Sequence, residues 1–201
     1  KEKFMLENME FNRAYTHKIE LLKLKNNCSS DIKEKEILEE FKKRYKKYRE
    51  DWHNINDIIS NNKNSNTLFQ KPLCVDIETA SICDLACPHC FREYIVTPDK
   101  IMKEGLYLKI MKEVKELQVP SIKLNWRGEP LLNPAIDKFI KIAKENEVID
   151  VSINTNATTL NEEKSLKILN SGLDQIIFSF DGGTKETYEK IRVNGKFEKI
   201  I

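Results

Sequence analysis

Leu73–Thr79 (L-C-V-D-I-E-T) runs, after Ala80-Ser81-Ile82, into Cys83–Cys90 (C-D-L-A-C-P-H-C). The first segment has the composition of a strand. The second is a loop that places three cysteines within eight residues. Three thiols cannot pair off as disulfides, because one is always left over. They can hold a metal centre, and three protein ligands leave a coordination position open. In an iron–sulfur cluster each iron normally takes one cysteine, so a cluster held by three keeps one iron free to bind something else. The loop points to chemistry rather than to stapling.

Outward from this loop the chain alternates strand and helix. Cys74–Thr79 reads as a strand and Lys100–Leu117 as an amphipathic helix. Ser121–Trp126 is a second strand, and Ala135–Glu147 a second helix opened by Asn133-Pro134. Asp150–Thr155 and Glu162–Asn170 form the third pair, with Gly172 as the stop. Gln175–Phe180 is a fourth strand, and a short helix follows over Lys185–Ile191. Repeated βα units predict an α/β fold with a parallel sheet and right-handed crossovers. Four such units do not close a barrel, and an open fourth strand leaves a parallel edge that proteins usually cover. The expectation is therefore a partial, TIM-like (βα) barrel, the N-terminal part of a longer protein.

Residues 1–70 differ. The first 60 contain no Gly and no Pro, and Phe41, Tyr45, Tyr48, Trp52, Ile55 and Ile59 recur at helical spacing. Phe11, Tyr15, Ile19 and Leu22 suggest a shorter helix before them, with Asn26–Asp31 as break and cap, and Asn61–Asn66 reads as a polar linker. The expected organisation is an α-helical extension with linker, 1–70, and a βα core, 71–201. The mixed-sign charges of Lys33–Asp51 read as a solvated helix face.

Composition narrows the function classes. A net charge of +2 is too small to argue for nucleic acid or a membrane surface. No apolar run reaches the roughly 20 residues of a spanning helix, and the first residues lack a signal-peptide core. Five cysteines, an odd number with three clustered, fit a reducing compartment, so cytoplasmic is the expectation. Cys74, inside the first strand, reads as a buried thiol, and Cys28 is assigned nothing.

In parallel βα folds ligands sit at the C-terminal ends of the strands. The unusual residues of this chain fall there four times: the cysteine loop, Arg127-Gly128-Glu129-Pro130, Ser152/Asn154/Asn156, and Ser179/Asp181 with Gly182-Gly183. Period-two spacing places Ser152, Asn154 and Asn156 on one face, and Ser179 with Asp181 on another. A cavity with such a rim takes a polar ligand.

C-x3-C-x2-C after a first strand, G-E-P after a second, T-N-A-T at the end of a third and S-F-D-G…Y-E-K-I-R around a fourth resemble the radical S-adenosylmethionine (radical SAM) superfamily. From Val75 to Ile201 the chain is most similar to the peptide- and sugar-modifying branch, whose members often carry a C-terminal SPASM or twitch domain. The resemblance implies that Cys83, Cys87 and Cys90 hold a [4Fe–4S] cluster whose fourth iron takes the methionine part of S-adenosylmethionine. It implies that Glu129 accepts from the cofactor's amino group, and that Asn154 or Asn156, with Ser179 and Asp181, contacts the ribose or methionyl part. Arg192 matches an arginine that pairs with the cofactor carboxylate, a task suited to a guanidinium fork. His89 stands where the family often has Tyr or Phe near the adenine, and Arg127 where it often has Gly. The implied reaction is reductive cleavage of the cofactor to a 5′-deoxyadenosyl radical, which abstracts hydrogen from a peptide, sugar or small metabolite. An electron donor such as flavodoxin or ferredoxin is the implied partner.

Each residue also has a plainer reading. The cysteines could hold zinc with His89 or His53 as fourth ligand, in a binding or regulatory module whose helical arm docks a partner. Gly128-Glu129-Pro130 could be a turn, and Asn154 and Asn156 strand-end turn formers. Asp181 could cap the next helix, and Arg192 could complement a helix dipole.

Overall fold

The computed structural model describes residue 27 and residues 31–60, 71–95 and 98–201. The chain divides into two compact units, Lys1–Gln70 and Lys71–Ile201. In the first, helix α1 spans Ile32–Ser60. Asp31 opens it, its carboxylate accepting from Lys33 N at 2.8 Å and its carbonyl from Lys35 N at 3.1 Å. Tyr45 and Tyr48 are buried on the aromatic stripe, and the rings from Phe41 to Trp52 follow one another at 6.1–6.3 Å. The helix expected over Phe11–Leu22, the linker Asn61–Asn66, Cys28 and His17 lie outside the described residues. No helix among the described residues is long and apolar enough to cross a membrane.

The second unit is α/β, with four parallel strands in sequential order: β1 (Cys74–Asp76), β2 (Ser121–Lys123), β3 (Asp150–Thr155) and β4 (Gln175–Phe178). The helices are α2 (Glu104–Glu116), α3 (Ile136–Glu145), α4 (Glu162–Asn170), α5 (Lys185–Ile191) and α6 (Phe197–Ile200). Sequential order without a reversal sends every right-handed crossover to the same face, which is barrel logic rather than doubly wound logic. Accordingly Ile122, Val151, Ile153 and Val75 pack with Met111, Val114, Phe139, Ile140 and Ile168 from α2, α3 and α4. The opposite face is polar.

At the centre of the core Tyr107 and Phe139 stack with centroids 4.1 Å apart, and Tyr107 Oη donates to Phe139 O at 2.9 Å. The hydroxyl thus finds a partner in an apolar layer where an orphan would be expensive. Gly172, at φ +88°, ends α4 in the left-handed conformation that glycine adopts freely.

The expected strands and helices are present, but several ends differ for identifiable reasons. The second strand stops at Lys123 because Asn125 Oδ1, not a backbone carbonyl, accepts Asn154 N at 2.7 Å. The helix expected from Lys100 begins at Glu104 because residues 98–102 return to pair with the chain before the cysteines. Ala80 bridges Ile101, and Met102 N donates to Thr79 O at 2.9 Å. Cys74 is half-buried rather than buried: its strand neighbour Val75 packs against the core, and Cys74 points to the opposite, polar face. Replacing Phe139 with Ala removes the larger part of the central stack, and a loss of about 3–5 kcal/mol is expected in urea unfolding.

Candidate metal centre and cofactor cavity

The cysteine loop is shaped by its root. Ser81 N donates to Lys100 O at 2.9 Å, and Ser81 Oγ receives Lys100 N at 2.8 Å. Arg92 Nε, from the loop's far side, donates to Ser81 O at 2.9 Å, while Arg92 Nη2 pairs with Asp99 at 2.5 Å. The loop after β2 presses on the same root. Glu129 N donates to Ile82 O at 2.8 Å, and a Cβ on Gly128 would lie 2.1 Å from Ala80 O and 2.6 Å from Ile82 O. Only a residue without a side chain allows that approach. Within the loop Cys90 N donates to Cys87 O at 2.9 Å, and Ala86 N to Val193 O, beyond α5, at 3.0 Å.

Around this loop lies a cavity of about 310 Å³, lined by all three cysteines, His89, Asn125, Glu129, Asn154, Asn156, Ser179 and Arg192. The C-terminal strand ends thus converge as the sequence pattern predicts. Glu129 is 3% exposed. Its Oε1 accepts from Leu131 N at 3.0 Å and Thr155 Oγ1 at 2.6 Å, and its Oε2 from Asn156 N at 2.8 Å. Burial pushes its pKa up, and these three hydrogen bonds oppose the shift without cancelling it. An ionised carboxylate has about four acceptor positions, so one remains for a further donor. Glu129 is therefore more than a rim charge or a turn former.

Asn156 ties the third strand end to the cysteines. Its Nδ2 donates to Asp84 Oδ1 at 2.9 Å and reaches Cys83 Sγ at 3.8 Å, while its Oδ1 accepts Thr158 N at 3.0 Å. Thr158 Oγ1 in turn donates to Asp84 Oδ2. Ser152, expected on the same face, does not line the cavity; it lies two residues further from the C-terminal end of β3 than Asn154. Asn154 does line it, and its Oδ1 is buried with no hydrogen-bond partner.

The fourth strand end splits in the same way. Ser179 lines the cavity, its N–H on Thr155 O at 2.8 Å. Asp181, at φ +52°, has left the strand alternation and does not line the cavity. Its Oδ2 pairs with Arg192 Nη2 at 2.5 Å and stands 3.6 Å from His89 Nε2. It does not cap α5; Thr184 does, accepting Thr187 N. Arg192, at the C-cap of α5, reaches Cys87 Sγ from Nη1 at 3.6 Å, and its buried Nε has no partner.

Arg127 also lines the cavity, with its guanidinium tied to Glu78. Its Nε and Nη2 clasp Glu78 at 2.9 and 2.5 Å, and its guanidinium lies 4.5 Å over the Trp126 ring. Sequence reasoning missed Glu78, Asp84, Asn125, Thr155 and Thr158. Asn125 had a signal, the period-two step from Lys123 on the polar face, whereas Thr155 falls on the opposite phase of its strand.

The donor set fits an iron–sulfur group with a polar cofactor beside it. Three thiols share one cavity with an orphaned acceptor, Asn154 Oδ1, and an orphaned donor, Arg192 Nε. Buried polar atoms without partners are rare. Among the described residues no three His, Cys, Asp or Glu side chains are close enough to share one ion.

Comparison with known proteins agrees. The family model described as the Radical SAM superfamily matches residues 77–201. A probable GTP 3′,8-cyclase of Methanococcus maripaludis is 34% identical over 119 residues, covering 59% of this chain and 39% of that protein. The GTP 3′,8-cyclase of Chlorobaculum tepidum is 30% identical over 127 residues, 63% of this chain and 38% of that protein. The chain thus spans about two fifths of the length of these curated relatives. Among solved structures, BtrN in complex with AdoMet and 2-DOIA superposes with a TM-score of 0.53 at 22% identity, over 66% of this chain and 56% of that one. Streptococcus suis SuiB bound to the precursor peptide SuiA gives 0.56 at 21%, over 73% and 32%. At these identities the structures speak for the fold, a partial TIM-like barrel.

Two variants test the cavity's construction. Gly128→Ala forces backbone to move at Ala80 and Ile82, and a loss of about 1–3 kcal/mol in urea unfolding is expected. Glu129→Gln turns an amide NH2 toward at least one of three existing donors, with an expected loss of about 1–3 kcal/mol by the same measurement.

Proposed function

The chain belongs to the radical SAM superfamily, whose members use a [4Fe–4S] cluster and S-adenosylmethionine, and from that premise we propose that the cavity at its strand ends is the cofactor site of a radical SAM enzyme. In this reading Cys83, Cys87 and Cys90 hold the cluster. When bound, that group supplies one electron for reductive cleavage of the cofactor's sulfonium carbon–sulfur bond. The observation that carries the reading is the meeting of three thiols with orphaned polar atoms in one cavity.

The remaining work falls to this chain's own side chains. Glu129 offers its last acceptor position to the cofactor's amino group, and the arriving positive charge offsets the burial that pushes the carboxyl's pKa up. Arg192 Nε donates to the cofactor carboxylate, and Asn154 Oδ1 accepts from a hydroxyl or amine of the ligand. Ser179 lines the wall between them. Asn156 and Asp181 act one step back: Asn156 braces Asp84 beside Cys83, and Asp181 orients Arg192 and faces His89. His89 flanks the adenine side in place of a larger aromatic ring. Leu85 and Phe91 line the cavity and help keep water from the reacting carbon.

The substrate enters past Trp126 and Phe91, half-exposed rings 6.0 Å apart at the cavity edge, with Lys123 on the same wall. GTP is the first compound to try, because curated relatives carry that substrate in their names and an exposed indole offers a base a face for stacking. An external low-potential donor of the flavodoxin or ferredoxin kind delivers the electron.

Anaerobic purification is the direct test. The protein should be brown, with about four irons and matching acid-labile sulfide, and should bleach on reduction. Cys87→Ala should lose both the colour and reductive cleavage of S-adenosylmethionine, measured as 5′-deoxyadenosine formed. A colourless wild type with one bound zinc would refute the reading.

A further inference from the structure

Cys87 is distinguished from the other two cysteines by its surroundings. It is buried, whereas Cys83 and Cys90 are half-buried. It is also the one beside a fixed cation, since Arg192 Nη1 donates to its Sγ at 3.6 Å. The Arg192 side chain is 13% exposed. It is held from two further sides. Its backbone N–H donates to Tyr188 O at 2.7 Å, closing α5, and its Nη2 pairs with Asp181 Oδ2 at 2.5 Å. Asp181 is 40% exposed and faces His89 Nε2 on its other flank. A line of alternating charge thus runs from the thiol through Arg192 to Asp181.

Reduction adds one electron to a thiolate-bound cluster and moves no proton or bond. A cation hydrogen-bonded to a cluster sulfur favours the form with the extra electron. The effect is largest where water is excluded, which is the situation of Cys87. A carboxylate on the far side of that cation takes part of the effect away.

We propose that Arg192 and Asp181 form a potential-setting pair for the cluster on Cys83, Cys87 and Cys90. Arg192 raises the reduction potential through Cys87, and Asp181 lowers it by neutralising part of the guanidinium charge. The proposal rests on the cluster reading above and assigns Arg192 a second task, through Nη1, beside the cofactor carboxylate. It makes the sequence Asp181…Arg192 an electronic element rather than a helix cap with a dipole partner.

The experiment is a redox titration of the anaerobically reconstituted chain, residues 1–201, without S-adenosylmethionine, so that the carboxylate contact cannot contribute. Dithionite is the reductant, and the reduced cluster is counted by its electron-spin signal at one fixed pH. At the wild-type midpoint, Arg192→Gln should lower the ratio of reduced to oxidised cluster about tenfold, equivalent to about 59 mV for a one-electron couple. Asp181→Asn should raise the ratio. A merely structural pair would not move the potential in opposite directions. Unchanged ratios, or shifts of the same sign, in variants with wild-type iron and sulfide overturn the proposal. If Arg192→Gln loads no cluster, Asp181→Asn and Arg192→Lys decide: the first must raise the ratio and the second stay near wild type, and failure of either overturns it. A wild type without iron and sulfide refutes the cluster reading instead, a different and recognisable result.

Discussion

The buried carboxylate of Glu129 is the constraint on which the site hangs. It brings a formal charge to a place 3% exposed to solvent, an expensive placement unless several donors meet it. Three do, one from its own turn and two from the end of β3. The loops after the second and third strands are thereby one body. Asn156, whose N–H is among those donors, passes the restraint through Asp84 to the cysteine loop. Strands β1, β2 and β3 would stay parallel without this carboxylate, but their loops would no longer be registered against one another.

The close contact of Gly128 with Ala80 and Ile82 serves the same end by different physics. Hydrogen bonds set the distance from Glu129 to β3, and hard-sphere packing sets its distance to the cysteine loop. Between them they fix the Glu129 carboxylate relative to the three thiols. The single-sided helical layer completes the arrangement, since it leaves the other face of the sheet free to be polar.

Much of this was legible in the chain itself. The βα rhythm follows from hydrophobic periodicity, and β3, α4 and α5 begin and end where their patterns and caps say. The ends of β2 and α2 were not legible, because they depend on contacts distant in sequence. Asn125 ends one strand by lending a side chain to a neighbour, and residues 98–102 are recruited to the cysteine loop before the helix begins. The site divides similarly. Cys83, Cys87, Cys90, Glu129, Asn154, Ser179 and Arg192 stand together as their order along the strand ends suggests. Asp181 does not join the lining, because strand alternation predicts a direction only while the strand lasts, and Ser152 does not, because it lies deeper in β3 than the strand end. Asp84 carried no signal, and Thr158 only as the last letter of T-N-A-T; a short polar side chain in a loop acquires meaning only from what faces it.

The bonds between Ser81 and Lys100 have a thermodynamic consequence. They join the two ends of the cysteine loop through backbone and hydroxyl together. The chain between them is therefore a closed ring whose closure entropy belongs to folding of the barrel rather than to assembly of a metal group. On the proposed cluster reading, three cysteines on such a ring would bind as the arms of one chelate. On that reading, affinity for the inorganic group would follow the stability of the scaffold: whatever loosens the ring's joint would weaken the metal site without touching a ligand.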